Sequence, residues 1–264
     1  MYSDQHLHCI YSGDSETPAE DEVNKAVSLG MEHICFTDHH DPFVNSDIDF
    51  ELDFPSYLDG IGKLRTAHAD RIDIGIGLEL GLQTHIKDHL VSLSEAYPLD
   101  FIIGSIHFVD GLDPYYPEYF VKYGKNAYTR YFETVLENLK IMSCFDSLGH
   151  LDYIVRYGKG SDLTYSYEEY AHLIDPILRI LIDRGIALEC NTGGMSRGLP
   201  EPNPCYDIFR RYRQMGGELI TLGSDAHDPS TLGCYFEEAG EMLRSIGFTH
   251  YAVYHGRKPH MERL

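Results

Sequence analysis

The chain has 264 residues, with 42 acidic and 21 basic side chains and a formal net charge of −21 at pH 7. A chain this acidic lacks the basic surface that binds nucleic acid or an anionic membrane, so we expect neither as a partner. No apolar run reaches the roughly 18 residues of a membrane span, and the N-terminal segment does not resemble a signal peptide. The six cysteines are scattered without a CxxC pair, which favours reduced thiols and a cytoplasmic location. The sequence leaves the oligomeric state open.

Short apolar runs typical of strands alternate with longer amphipathic stretches typical of helices along the chain. The predicted strands are Ser3–Cys9, His33–Thr37, Ile72–Glu79, Phe101–His107, Cys144–His150, Ile186–Thr192 and Glu218–Ser224. The predicted helices are Pro18–Leu29, Pro55–Ala69, His85–Tyr97, Lys125–Ile141, Tyr167–Arg184, Tyr206–Met215 and Phe236–Ile246. A short apolar run, Tyr251–Tyr254, follows the seventh helix.

Several predicted helices carry sequence signals at their ends. The stretches Thr17–Glu20 and Ser166–Glu169 both have the pattern of a capping box, and Pro18 would take the first helical position. Gly30 and Gly185 stand where a helix commonly ends in a left-handed residue. Pro176 is expected to kink or split its helix.

Seven strand–helix units in strict alternation predict parallel strands, in either an open doubly wound sheet or a closed barrel. The polar residues at the strand ends separate the two. Six of the seven strands end in side chains that can bind a metal, namely His6, His8, His39, Glu79, His107, His150, Asp225 and His227. In an open sheet such residues would meet only near the switch point, so convergence from six strands favours a barrel with a metal site at the C-terminal ends of its strands.

The number and type of these side chains indicate the kind of metal site. His6 and His8 are two residues apart on a strand and therefore point the same way. Asp14, in a turn just beyond that strand, is the ninth candidate. A catalytic ion typically takes about three protein ligands, so nine ligands suit two or three ions. Imidazole and carboxylate ligands without thiolate favour zinc, iron or manganese.

The remaining histidines are interpreted as structural or surface residues, with His40 ambiguous because it adjoins His39. They are His33, His68, His85, His89, His172, His250, His255 and His260. Asp38 and Asp41 are expected to support the ligands or to cap turns.

Two arginines stand out on the same predicted face. Arg156 follows the fifth strand and Arg197 follows the sixth. Guanidinium groups suit phosphate oxygens, so both are candidate substrate-binding residues, although a salt bridge to one of the many acids would explain each equally well.

Six short motifs, taken together, resemble the PHP (polymerase and histidinol phosphatase) family. They are His6-x-His8, Thr37-Asp38-His39, Gly77-Leu78-Glu79, Gly104-Ser105-Ile106-His107, Gly149-His150 and Ser224-Asp225-Ala226-His227. The resemblance runs from residue 6 to residue 227, and the motifs occur in the same order. The Gly149–Tyr153 and Glu189–Thr192 stretches are most similar to those of the stand-alone histidinol-phosphatases in that family.

This resemblance implies a single domain over residues 1–264, folded as a distorted (β/α)7 TIM-like barrel of parallel strands with a trinuclear metal centre. Three ligand sets are implied: His6, His8, Glu79 and Asp225 for the first metal; Glu79, His107 and His150 for the second; and Asp14, His39 and His227 for the third. Many family members have histidine where this chain has Asp14, which makes the third site harder and more anionic.

The implied activity is hydrolysis of L-histidinol phosphate to L-histidinol and inorganic phosphate, a step of histidine biosynthesis. A hydroxide bridging two metals at Glu79 would attack phosphorus. Asp225 would orient or deprotonate the water and then protonate the departing alcohol, and Arg156 and Arg197 would clamp the phosphate. The loops at Asp41–Asp53 and Asp110–Tyr123 are the candidate pocket for the leaving group.

Three alternatives are weighed against this function. A family member could act on another substrate, such as protein phosphotyrosine or a small phosphate ester. An amidohydrolase also begins with a His-x-His strand, but those barrels usually need a lysine on a middle strand, whereas the third and fourth strands here end in Glu79 and His107. A metal-binding regulatory barrel would be expected to have lost ligands, and this chain keeps a full set.

Overall fold

The computed structural model describes residues 2–158 and 164–264. Within these ranges the strands are β1 (Asp4–Leu7), β2 (His33–Phe36), β3 (His39–His40), β4 (Asp73–Gly81), β5 (Phe101–Ser105), β6 (Ser147–Leu148), β7 (Ala187–Asn191), β8 (Ile220–Gly223), β9 (His250–His255) and β10 (Lys258–Arg263). The α-helices are α1 (Ala19–Leu29), α2 (Phe54–Ala67), α3 (Lys87–Ala96), α4 (Pro117–Tyr123), α5 (Ala127–Ile141), α6 (Tyr167–Arg184), α7 (Gly193–Ser196), α8 (Tyr206–Gln214) and α9 (Phe236–Ile246).

A parallel sheet with helices between its strands forms a nearly closed barrel. The strand order is β1-β2-β4-β5-β6-β7-β8, and β3 pairs with the distal part of β4. At the seam the Asp225 N–H donates to the His6 carbonyl at 2.7 Å, and the His8 N–H donates to the Ala226 carbonyl at 2.8 Å. These bonds join the end of β8 to β1 and confirm the predicted (β/α)7 barrel.

The barrel is irregular where the sequence predicted longer strands. The fifth predicted strand, Cys144–His150, is reduced to the two residues of β6. The second predicted strand continues beyond a break as β3, which pairs His39 with Glu79 of β4. This break bends the chain so that the histidine at the end of the strand faces the glutamate on the neighbouring strand.

Glycines on β4 make room beside the predicted ligand Glu79. Gly75, Gly77 and Glu79 point to the same side of the strand because side chains alternate. A Cβ atom on Gly77 would lie 2.9 Å from the Cys35 Sγ atom and 2.9 Å from two backbone carbonyl oxygens, so only glycine fits there. The neighbouring strands can therefore approach β4 closely just below Glu79.

An antiparallel hairpin, β9–β10, lies across the opposite end of the barrel, where the sequence predicted only the short run Tyr251–Tyr254. Ala252 and Tyr254 pack against the buried side chains of Cys35, Phe101 and Ile103. The Gly256 N–H donates to Asp100, which directly precedes β5, at 3.0 Å. The hairpin thus covers the floor of the barrel, away from the ends of the strands that carry the predicted ligands.

The helix ends confirm some sequence signals and overturn others. Gly30 and Gly185 end α1 and α6 in the left-handed conformation, and the Ser166 hydroxyl accepts a bond from the Glu169 N–H at 3.4 Å, as predicted. The capping box at Thr17–Glu20 is wrong, because Pro18 is the N-cap and no side chain caps the helix. The Thr17 hydroxyl donates instead to the His227 carbonyl at 2.9 Å and holds a loop of the candidate site.

The structure narrows two further sequence expectations. Of the kink or split expected at Pro176, the split does not occur, since α6 runs from Tyr167 to Arg184; the buried side chains of Ile174, Ile177 and Leu178 hold it against the core on both sides of the proline. The Asp110–Tyr123 loop contains helix α4, which begins at Pro117. None of the helices in the described ranges is both long and apolar enough to cross a membrane.

Gln5 offers a direct test of how the hairpin is attached to the barrel. Its buried amide donates to the Ala252 carbonyl at 2.6 Å and accepts from the Tyr254 N–H at 2.7 Å. We expect Gln5→Leu to lower the free energy of unfolding by about 2 to 5 kcal/mol, because it leaves two buried backbone groups unpaired. Urea denaturation measures this, with the exposed Gln214→Leu as the matched control. Equal stability of the two variants would contradict the attachment.

Candidate metal centre

The structure brings all nine predicted ligands to one end of the barrel. Each lies at or beyond the C-terminal end of a strand. Because the strands are parallel, these ends share one face of the barrel and the side chains meet there. The ligands lie on or after β1 (His6, His8 and Asp14), on β3 (His39) and β4 (Glu79), and after β5 (His107), β6 (His150) and β8 (Asp225 and His227). His40, which was ambiguous, turns away: its Nδ1 accepts a bond from the Leu52 N–H at 3.1 Å.

The carboxylate of Glu79 lies at the centre of this cluster and is fully buried. Its Oε2 atom is 3.2 Å from the Nε2 atom of His6, 3.5 Å from that of His8 and 3.0 Å from the Nδ1 atom of His39. One carboxylate oxygen therefore faces three imidazoles.

The second oxygen of Glu79 faces a different group. Oε1 is 3.2 Å from the Nε2 atom of His107 and 2.8 Å from that of His150, and it accepts a bond from the Ser105 hydroxyl at 2.7 Å. Burial alone would raise the pKa of Glu79. The nearby imidazoles, chiefly that of His6, outweigh the effect of burial and hold the pKa well below its ordinary value. Glu79 is thus a carboxylate with one oxygen directed to each of two sets of nitrogens.

Two aspartates add to the cluster, the buried Asp225 and the partly exposed Asp14. The Oδ1 atom of Asp225 lies 3.6 Å from the Nε2 atom of His8 and 3.7 Å from the Nδ1 atom of His227. The Oδ2 atom of Asp14 lies 3.1 Å from the Nε2 atom of His227 and 3.6 Å from that of His39. Asp14, His39 and His227 therefore surround one volume at the outer side of the cluster.

Several buried atoms in the cluster lack a hydrogen-bond partner. They are the Nε2 atoms of His6 and His8, the Nδ1 atoms of His39 and His150, and the Oε2 atom of Glu79. A buried polar atom without a partner is costly, and bound cations would satisfy those that face one another here. Nitrogen and oxygen ligands of this kind fit divalent transition metals.

The possible metal-binding groups overlap. The sets His6–His8–Glu79, His6–His150–Asp225, His39–Glu79–His107 and His8–His39–His227 each have ligand atoms within 4.8 Å of one another. The geometry brings the nine side chains together without dividing them into three separate sets.

A second layer of polar residues orients the histidine rings. The outer nitrogen of His6 contacts one oxygen of the Glu189 carboxylate. The other oxygen of Glu189 accepts a hydrogen bond from the backbone N–H of His150 at 2.6 Å. The outer nitrogen of His107 is 3.1 Å from both carboxylate oxygens of Asp41. Such contacts fix the ring orientation and leave the inner nitrogen free to bind a metal.

Ser12 plays the same part for His8. Its hydroxyl oxygen is 3.0 Å from the Nδ1 atom of His8, and the hydroxyl donates to Asp38 at 2.9 Å. Supporting roles are predicted from the sequence for Asp38 and Asp41, but not for Ser12, Ser105 and Glu189. Glu189 carried a usable signal, since a lone acid inside the apolar run of the sixth predicted strand requires a polar partner.

The two predicted substrate-binding arginines differ in their surroundings. The buried Arg156 donates to Asp225 at 2.7 Å, to Asn191 at 2.7 Å and to Asn203 at 2.8 Å. Arg197 has 41% of its side chain exposed, and its Nη1 atom lies 3.6 Å from Asp225. Burial raises the pKa of Asp225, but Arg156 and then Arg197 outweigh it and hold that pKa well below its ordinary value.

A cavity of about 450 Å³ opens above the cluster. Its walls include both arginines and residues of the two loops predicted to hold the leaving group, namely Asp41, Ser46, Ile48, Phe50, Asp113, Tyr115 and Tyr116. Tyr153 and Tyr157 add two further aromatic rings. The cavity therefore has charged residues at its base, beside the cluster, and aromatic rings around its opening.

Comparison with known proteins identifies the family. The PHP domain model matches residues 4–193. The chain belongs to the PHP family. This PHP protein is 32% identical over 258 residues to the histidinol-phosphatase of Lactococcus lactis subsp. lactis (strain IL1403), covering 97% of this chain and 95% of that one. It is also 32% identical over 249 residues to a probable histidinol-phosphatase of Clostridium acetobutylicum, covering 93% and 94% of the two chains.

The fold of this PHP protein is similar to a crystal structure of histidinol phosphate phosphatase from Lactococcus lactis, solved in complex with zinc, L-histidinol and phosphate. The TM-score is 0.89 at 30% identity, and the match covers 98% of each chain.

The contacts of Glu189 allow a test of whether the polar residues around the histidines position them for metal binding. A glutamine has one acceptor oxygen, whereas Glu189 uses one oxygen for the His6 ring and the other for the backbone N–H of His150. We expect Glu189→Gln to weaken zinc binding by about 10- to 100-fold, the usual cost of losing such a partner. Competition with a zinc chelator dye measures the affinity, with the exposed Glu218→Gln as control. Zinc affinity equal to that of the control would show that Glu189 does not position the ligands.

Proposed function

We propose that this chain is a metal-dependent phosphatase that hydrolyses L-histidinol phosphate to L-histidinol and inorganic phosphate, a step of histidine biosynthesis. The observation that carries the proposal is the buried Glu79 carboxylate between two groups of imidazoles, below a cavity flanked by two arginines. Similarity to the Lactococcus lactis enzyme over nearly the whole of both chains supports the choice of substrate.

The proposed cofactors are two to three divalent ions of zinc, iron or manganese. His6, His8, Glu79 and Asp225 would hold the first ion, Glu79 with His107 and His150 the second, and Asp14, His39 and His227 the third. When bound, such ions activate water and neutralise charge on the phosphoryl oxygens. Asp14 adds a negative charge to the third set, which favours a harder ion there than three histidines would.

The protein's own residues then bind the phosphate and move the proton. Arg197, half-exposed at the cavity wall, is placed to donate to phosphate oxygens. Arg156 adds a fixed positive charge and holds Asp225 through its bond at 2.7 Å. Asp225 is held as a carboxylate, so it can accept a hydrogen bond that orients the attacking water. In the proposed reaction it takes the proton of that water as the bond to phosphorus forms, and it returns the proton to the departing alcohol.

The aromatic rim of the cavity supplies the proposed site for the leaving group. Tyr115, Tyr153 and Tyr157 offer ring faces for an imidazole, and the carboxylate of Asp113 offers a partner for a cationic group. These residues surround the same cavity as the arginines, so one substrate can contact both sets.

Two broader proposals accompany the function. We propose that residues 1–264 act as one phosphoesterase domain, because the C-terminal hairpin packs against the barrel floor. The cytoplasmic location stays a prediction from the cysteine pattern.

Substrate preference is the direct test of this function. We expect kcat/KM for L-histidinol phosphate to exceed that for p-nitrophenyl phosphate by roughly 10³-fold or more, because a site built to bind the polar leaving group rejects an analogue that lacks its polar groups. Phosphate release by the metal-loaded chain measures both values. Similar slow rates would reject the histidine-pathway substrate, and a preference for aryl phosphates would favour a phosphotyrosine substrate.

A further inference from the structure

A second cluster of metal-competent side chains lies at the floor of the barrel. His33 and Asp73 are the first residues of β2 and β4, and they are paired across the parallel ladder. His255 is the last residue of β9, in the hairpin that covers the floor. One ligand atom from each of the three side chains lies within 4.8 Å of the other two.

This floor cluster is separate from the catalytic centre. Asp73 and Glu79 point to the same side of β4, but six residues of extended strand place them about 20 Å apart. The side-chain ion pairs and ring contacts of His33 and His255 in the described residues are with each other, with Asp73 and with His260. An ion at the floor would therefore use none of the nine residues at the other end of the barrel.

One distance within the cluster matches that in a small divalent-ion site, and a second is somewhat shorter. Zinc binds nitrogen and oxygen ligands at about 2.1 Å, so two ligands in a tetrahedral site are about 3.4 Å apart. The Oδ2 atom of Asp73 lies 3.4 Å from the Nδ1 atom of His255 and 2.8 Å from the Nδ1 atom of His33. The first distance matches the tetrahedral spacing, and the second needs an opening of about 0.6 Å.

Burial and access also fit an ion site. The His33 side chain is only 4% exposed, whereas Asp73 is 54% and His255 is 43% exposed. One ligand is therefore held rigidly by the barrel while the other two can be reached from solvent. The ring of His260, on β10, has its centroid 5.2 Å from that of His255 and stands beside the cluster as a candidate fourth ligand.

We propose that His33, Asp73 and His255 form a second divalent-metal site, of the zinc class, that ties the C-terminal hairpin to the floor of the barrel. The ligands come from two barrel strands and one hairpin strand, so the ion links elements that are distant in sequence. Binding that occurs only in the folded chain stabilises it. The role is structural, and the proposal stands independently of the substrate of the catalytic centre.

Metal stoichiometry tests the proposal without relying on activity. The full chain, its His255→Gln and Asp73→Asn variants, and a His250→Gln control are dialysed to equilibrium against a series of buffered free zinc concentrations. Zinc per chain is then measured by inductively coupled plasma mass spectrometry, and far-UV circular dichroism checks the fold. His250 is an exposed histidine of the same hairpin strand, outside the cluster.

We expect both cluster variants to bind one zinc ion fewer per chain than the wild type, while the control binds the same number. Thermal unfolding should agree, with added zinc raising the midpoint of the wild type and of the control more than that of the cluster variants. Wild-type stoichiometry in both cluster variants would overturn the proposal. An equal loss in the His250→Gln control would also overturn it, because the zinc would then be bound by surface histidines in general.

Discussion

The fully buried carboxylate of Glu79 at the centre of the barrel is the constraint on which the rest of the site depends. An isolated buried charge is strongly unfavourable, so the fold must surround it with polar groups or bound cations that stabilise it. Five imidazole nitrogens lie within 3.5 Å of its two oxygens, and they come from β1, β3 and the ends of β5 and β6. The parallel barrel, its closed seam and the glycines beside Glu79 bring these strand ends together.

Polar residues around the ligands then fix this arrangement. Glu189, Ser12 and Asp41 hold the outer nitrogens of three histidines, so the inner nitrogens face Glu79. On the opposite side, Arg156 holds Asp225 in its charged form. An acid-rich chain therefore builds a cavity whose base carries carboxylates and imidazoles suited to cations and whose wall carries two arginines suited to a phosphate. In the part of the chain that the structure describes, the opposite end of the barrel carries no part of this cavity. The C-terminal hairpin covers it, and Gln5 bonds that hairpin to β1.

Much of this organisation could be predicted from the sequence, because strand–helix alternation and the placement of histidines at strand ends are local patterns. The barrel and the convergence of the nine candidate ligands follow from those patterns. The details that failed depend on tertiary contacts. The Thr17 hydroxyl donates to the His227 carbonyl instead of capping α1. The contact of Arg156 with Asp225 and that of Glu189 with His6 each join residues that are far apart in sequence. The His33–Asp73–His255 cluster does the same.

The most direct test of Glu79 as the ligand shared by two ions is to locate the ions in crystals of the metal-loaded chain by anomalous scattering. We expect two ions beside Glu79, with one carboxylate oxygen bound to each. The ion next to Oε2 should contact His6 and His8, and the ion next to Oε1 should contact His107 and His150. A single ion bound by both oxygens of Glu79, or ions bound without Glu79, would contradict it.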